Sequence, residues 1–113
     1  MSFYAMRRAN GDWFAIDDNG HLRMLVFKSS RAAMIASSFD PGMGCFRPVV
    51  FDAPALEELK RTDRQAGSFL IVADPSRHPK HGIRLDFTGI ASIMPDFAKV
   101  ELNSDNNHRN TKR

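Results

Sequence analysis

Two histidines three positions apart, His78 and His81, are the first residues whose spacing could do chemistry. Their imidazole nitrogens could bind a metal ion, and Asp74 could add an oxygen ligand. Pro79 argues against this, because a proline between them prevents a helix from presenting both rings on one side. The sequence has no second pair of histidines or cysteines to complete a ligand set. We therefore expect no metal and no cofactor.

The same segment concentrates positive charge. Its candidate anion-binding residues are Arg77, His78, Lys80, His81 and Arg84. Three fixed cations this close together in the chain can attract an anionic ligand. The segment is therefore a candidate anion site, and a solvated basic loop is the alternative interpretation.

No catalytic motif accompanies these residues. The glycine-rich phosphate-binding loops and the GxSxG nucleophile turn do not occur in the sequence. Glu57 and Glu58 are consecutive on a predicted helix and face about 100° apart, so they do not form an acid/base pair. Cys45, the single cysteine, is interpreted as a small apolar residue at the start of a strand. The sequence therefore favours a protein without enzymatic activity.

Asn-Gly pairs at positions 10–11 and 19–20 divide the first part of the chain. An Asn-Gly pair supplies the two positive-φ residues that a two-residue hairpin turn requires. The segments that flank the turns are suited to strands. We therefore predict a three-stranded antiparallel meander with strands over 3–8, 13–17 and 21–27.

The sequence after residue 27 predicts helices and further strands. Ser29 and Ser30 are good N-cap residues before an alanine-rich helix, and Asp52 is placed to cap a second helix. The unbroken apolar run over 69–73 is typical of a central strand covered on both faces. Further strands are predicted at 45–51 and 83–87, whereas 88–102 receives no assignment. The predicted fold is α+β in the order β-β-β-α-β-α-β-β, with two helices packed on an antiparallel or mixed sheet.

One face of the meander combines aromatic rings with arginines, provided that both hairpins have two-residue loops. Its residues are Phe3, Arg7, Phe14, Arg23 and Phe27, and on the other face Arg8 lies opposite Trp13. We call the first set the Phe/Arg face. Rings and guanidinium groups on an open sheet can hold single-stranded nucleic acid, and they are also enriched at protein interfaces. A third interpretation is that helices cover this face.

The formal net charge of +3 does not by itself indicate a polyanion as partner. Two of the three excess positive charges belong to the last fifteen residues, which hold Lys99, Arg109, Lys112 and Arg113 against Glu101 and Asp105. The rest is nearly neutral, so nucleic-acid binding would need a local patch. Because the chain has one cysteine and no apolar stretch near the ~20 residues of a membrane helix, we expect a cytosolic protein without membrane contact.

The sequence favours a small binding module that acts by protein–protein interaction or homodimerisation. Single-stranded nucleic-acid binding through the Phe/Arg face and the basic tail is the alternative. We expect one domain over 1–102 and a disordered polar and basic tail over 103–113.

Deletion of residues 103–113 should leave the melting temperature almost unchanged, because the polar side chains of this segment have nothing to bury. Thermal unfolding of the full and shortened chains, followed by circular dichroism, checks this. Dispersed amide signals with protection from hydrogen exchange in this segment would contradict the prediction.

Overall fold

The computed structural model describes residues 2–62, 67–77 and 80–94 and has an α+β fold. His78 and the tail predicted at 103–113 lie outside the described residues. The elements are β1 (Phe3–Arg8), β2 (Ala15–Asp18), β3 (His21–Val26), α1 (Ser30–Phe39), β4 (Phe46–Phe51), α2 (Ala53–Thr62), β5 (Ser68–Val72), β6 (Gly82–Asp86) and α3 (Phe87–Ile93). The predicted class is confirmed, and α3 adds a third helix in a segment that is largely unassigned from sequence. No helix in the described ranges is long and apolar enough to cross a membrane.

The six strands of the described residues form two sheets. The larger has the order β2-β3-β5-β6, with β3 parallel to β5 and the other neighbours antiparallel. The smaller pairs β1 with β4. Two isolated bridges, Tyr4 with Phe27 and Arg7 with Trp13, connect β1 to the residues that flank β2 and β3. The three N-terminal strands are therefore present, but the regular ladder of β1 is with β4 and not with β2.

The hairpin between β2 and β3 has the predicted two-residue loop. Asp18 pairs with His21, and the two loop residues, Asn19 and Gly20, have φ values of 53° and 88°. These positive φ values are the ones that a type I′ turn needs. The register of β2 on β3 therefore follows directly from the sequence.

The loop between β1 and Trp13 is one residue longer than predicted. The backbone N–H of Arg8 donates to the carbonyl oxygen of Asp12 at 3.0 Å, and that of Gly11 donates to the carbonyl of Arg8 at 2.9 Å. Arg7, and not Arg8, consequently lies opposite Trp13. A shift of one residue moves every side chain of a strand to the other face. The predicted register of β1, and with it the composition of both sheet faces, is wrong.

Alternate side chains of β3 and β5 enter two cores on opposite sides of the larger sheet. The first, which we call the α2–α3 core, contains Phe3, Ala5, Met24, Val26, Phe51, Leu56, Leu59, Phe69, Ile71, Ile90, Ala91 and Met94. The second, the α1 core, contains Met6, Leu25, Phe27, Ala33, Ala36, Met43, Leu70 and Val72. Residues 69–72 of β5 are all buried, so the predicted central strand is confirmed over this range.

Side-chain caps begin the helices at the positions that the sequence indicates. The Ser29 hydroxyl accepts a hydrogen bond from the backbone N–H of Ala32 at 3.0 Å, at the start of α1. The Asp52 carboxylate accepts one from the N–H of Ala55 at 3.1 Å, at the start of α2. Each bond satisfies an N–H group that has no partner within its helix. Both predicted caps are confirmed.

Leu70→Ala should lower the free energy of unfolding by about 2–5 kcal/mol, because it empties a fully buried position between β5 and α1. Met34→Ala, on the exposed side of α1, is the control and should change it by less than about 0.5 kcal/mol. Urea unfolding of the three proteins measures both values. A loss below about 1 kcal/mol for Leu70→Ala would mean that this site is not a packed core position.

Candidate functional site

The Phe/Arg face predicted from the sequence is not formed. Phe3 is buried in the α2–α3 core and Phe27 is buried in the α1 core, on the opposite side of the sheet. Phe14 is half-buried, and its ring packs edge-to-face on Phe46 with centroids 5.2 Å apart. The five residues therefore do not share an open surface. Phe3 and Phe27 pack with helices, as the third interpretation expects, but in two different cores and not on one covered face.

The residues of the Phe/Arg face are separated by the register of β1 and by the packing of the helices. The longer first loop turns Phe3 away from Phe27, because it exchanges the two faces of β1. Ala33 and Ala36 of α1 are buried in one core with Phe27 and Leu25. Phe3 and Phe27 of the predicted face are thus buried in the interior.

The candidate anion site around residues 77–84 is also not assembled as predicted. The side chain of Lys80 is 5% exposed, and its ammonium group donates to the carbonyl oxygens of Pro75 and Arg77, each at 3.0 Å. Lys80 therefore closes its own loop. His81 and Arg77 are exposed, and Arg84 turns to a carboxylate on β2. Two of the three predicted cations, Lys80 and Arg84, are therefore already paired within the chain.

Asp18, at the end of β2, binds both Arg23 of the predicted Phe/Arg face and Arg84 of the candidate anion site. Arg84 Nε donates to Asp18 Oδ2 at 2.5 Å, and Arg23 Nε donates to the same oxygen at 2.7 Å. These hydrogen bonds, chiefly that from Arg84, hold the pKa of Asp18 below its ordinary value. The carboxylate in turn raises the pKa of Arg84. The cluster ties β2 to β3 and β6, so both guanidinium groups serve the fold.

A cleft of about 660 Å³ opens where β1, the loop before β2 and the C-terminal half of α2 meet. The sequence does not predict this cleft, because α2 is remote from the hairpin in the chain. Its lining is half aromatic and aliphatic and half polar: Arg7, Arg8, Gly11, Asp12, Trp13, Phe14, Ala15, Leu22, Met24, Phe46, Glu58, Leu59, Thr62 and Ser68.

Arg7 and Trp13 form the centre of the cleft. The guanidinium carbon of Arg7 lies 4.5 Å from the centroid of the Trp13 ring, within the range of a cation–π interaction. Arg7 Nε donates to the Gly11 carbonyl at 2.8 Å, and its Nη2 lies 3.9 Å from Glu58 Oε1. The Trp13 ring packs edge-on against Phe51 at 5.4 Å. The arginine predicted opposite Trp13 was Arg8, and the shifted register replaces it with Arg7.

Arg8 and Asp12 form the outer wall. Arg8 Nη2 donates to Asp12 Oδ2 at 2.8 Å, and the guanidinium lies 5.5 Å from the Phe46 centroid. Hydrogen bonds from Arg8 and then Asn10 lower the pKa of Asp12. This wall of the cleft is therefore an ion pair that is open to water.

Leu22 stands at the rim with 67% of its surface exposed. It lies on the same face of β3 as Met24, which α2 covers. The sheet face is therefore apolar beyond the end of α2, next to a charged wall. Arg7 and Phe14 are the residues of the predicted Phe/Arg face that line this cleft, and Trp13 next to a glycine turn is a further signal in the sequence.

The chain matches none of the protein-family models, curated proteins or solved structures with which it was compared. Within the described ranges, no three His, Cys, Asp or Glu side chains are grouped so that they could hold a metal ion. Any assignment of function therefore depends on the geometry of the cleft.

Asp18→Asn should remove a pH-dependent part of the stability. The folded pKa of Asp18 lies below its ordinary value of 3.8, so its ion pairs stabilise the fold above that pH and are lost as the pH falls through the folded pKa. We expect the free energy of unfolding in urea to fall less steeply below about pH 4 in Asp18→Asn than in the wild type.

Glu57→Gln is the control for this experiment, because it removes an exposed carboxyl on α2. It should retain the wild-type dependence on pH. Equal slopes for Asp18→Asn and the wild type would contradict the prediction.

Proposed function

We propose that this chain is a small protein-binding module and that the cleft holds part of the partner protein. The observation that carries the proposal is the Arg7–Trp13 stack in an open cleft, beside the exposed Leu22. Tryptophan and arginine are the side chains that most often dominate the energy of protein interfaces. An apolar floor with a polar wall is also the usual anatomy of such interfaces.

The charges of the cleft support a protein partner over a polyanion. Arg7 and Arg8 stand against Asp12 and Glu58, so the lining carries equal numbers of cations and carboxylates. Such a surface exerts no net attraction on a phosphate backbone. Protein surfaces present both signs of charge and can match it.

Single-stranded nucleic-acid binding has weaker support. Two of the three phenylalanines proposed to stack on bases are buried, and Arg23 is paired with Asp18. A phosphate would have to displace that carboxylate at a cost in stability.

The free, exposed thiol of Cys45 supports the further proposal that the protein works in the reducing cytosol.

Selection of peptides against the purified protein tests the binding function. A random peptide library is panned on the wild type in the presence of excess soluble Leu22→Asp protein, which removes binders of other surfaces. Trp13 is the single tryptophan, so its emission reports whether a selected peptide enters the cleft. We expect a shift in emission on titration, and an affinity about tenfold or more lower for Arg7→Ala.

Met34→Ser is the matched control, because Met34 is exposed on α1 and does not line the cleft. It should bind the selected peptides like the wild type, with little dependence on salt. Peptides that bind without changing Trp13 emission, or that bind Leu22→Asp equally well, would contradict the proposal. Binding of a thymidine oligonucleotide that weakens steeply with salt would favour the nucleic-acid alternative.

A further inference from the structure

The charges of the cleft are arranged so that the surface can match a copy of itself. In a two-fold symmetric dimer the same patch occurs on both sides, so each cation must meet an anion of an identical surface. A patch of one sign would repel its copy. Here each arginine has a carboxylate nearby: Arg8 lies 2.8 Å from Asp12, and Arg7 lies 3.9 Å from Glu58.

These ion pairs are open enough to exchange partners. All four side chains are between one-third and two-thirds exposed. Pairs of this kind contribute little within one molecule, because water screens them. Exchange of a carboxylate in the same chain for the equivalent one in a second copy therefore costs little.

Leu22 is the exposed apolar residue of the same surface. The side chain of Met24 on the same face of β3 is buried, because α2 reaches it, whereas Leu22 lies beyond this cover with 67% of its surface exposed. The adjacent floor of the cleft includes Ala15 and Trp13, both half-buried. The protruding Leu22 and an apolar recess are thus neighbours on one surface, as a self-complementary interface requires.

We propose that the partner is a second copy of this chain, docked cleft to cleft about a two-fold axis. Leu22 of each copy then lies in the recess of the other, and Arg8 of each copy pairs with Asp12 of the other. The inference rests on the proposed function and deepens it. The ion pairs of the cleft are exposed to water and contribute little, so the dimer should be weak and reversible.

Sedimentation equilibrium from about 10 µM to about 1 mM tests the dimer over the range expected for a weak interface. The mass of the wild type should rise with concentration from the 12.7 kDa of one chain towards twice that value. Leu22→Asp should remain a monomer throughout. Ile83→Asp is the matched control, because Ile83 is 58% exposed on β6, away from the cleft, and should dimerise like the wild type.

A charge exchange between copies tests the geometry. Arg8→Glu and Asp12→Arg each place like charges against each other in a two-fold dimer, so each alone should dimerise about tenfold more weakly or worse. An equimolar mixture should recover dimers, because the altered residues of the two variants then pair with opposite sign. Thermal melts of both variants confirm that they are folded. A mixture of folded variants that stays monomeric would overturn the proposed docking.

Separate experiments can contradict the homodimer and protein binding by the cleft. A wild type that remains monomeric at about 1 mM overturns the homodimer, whereas the peptide titrations of Trp13 still decide whether the cleft binds proteins. A dimer that is abolished by Ile83→Asp and not by Leu22→Asp would form through β6 and also overturns the inference. Loss of dimer in Leu22→Asp alone, together with recovery in the charge-exchange mixture, supports it.

Discussion

The hydrogen bonds that close the loop between β1 and Trp13 fix which side chains of β1 line the cleft. They set the register in which Arg7 lies on Trp13 and leave Arg8 to pair with Asp12. The same register sends Phe3 into the α2–α3 core. A loop shorter by one residue would exchange the two faces of β1 and place a different arginine at the centre of the cleft. The candidate site is thus a consequence of one turn.

The cores explain why the site lies at an edge of the fold. The two cores bury residues 69–72 of β5 and Met24–Val26 of β3, so little of the middle of the larger sheet is open to a ligand. Open apolar surface remains where α2 ends, beyond Met24, and this is where Leu22 is exposed.

Three positive charges of the described residues hold parts of the fold together. Arg23 and Arg84 are held by Asp18, and the ammonium group of Lys80 closes its loop on two carbonyl oxygens. An overall positive charge is consequently a poor guide to the partner of this protein. The cleft has equal numbers of cations and carboxylates next to apolar side chains. This combination suits binding to another protein surface.

Signals that act within a few residues were readable from the sequence. The turn at Asn19 and Gly20, the cap at Ser29 and the apolar run of β5 depend on local backbone preferences and burial, and the structure has them all. Sequence could not predict the cleft or the Asp18 cluster, because these bring together residues from distant segments; Asp18 and Arg84, for example, are 66 positions apart. It also did not determine the first loop, where Asn-Gly permits both two- and three-residue turns. The tertiary structure decided between them, because in the three-residue form Phe3 and Ala5 pack in the α2–α3 core and Met6 packs in the α1 core.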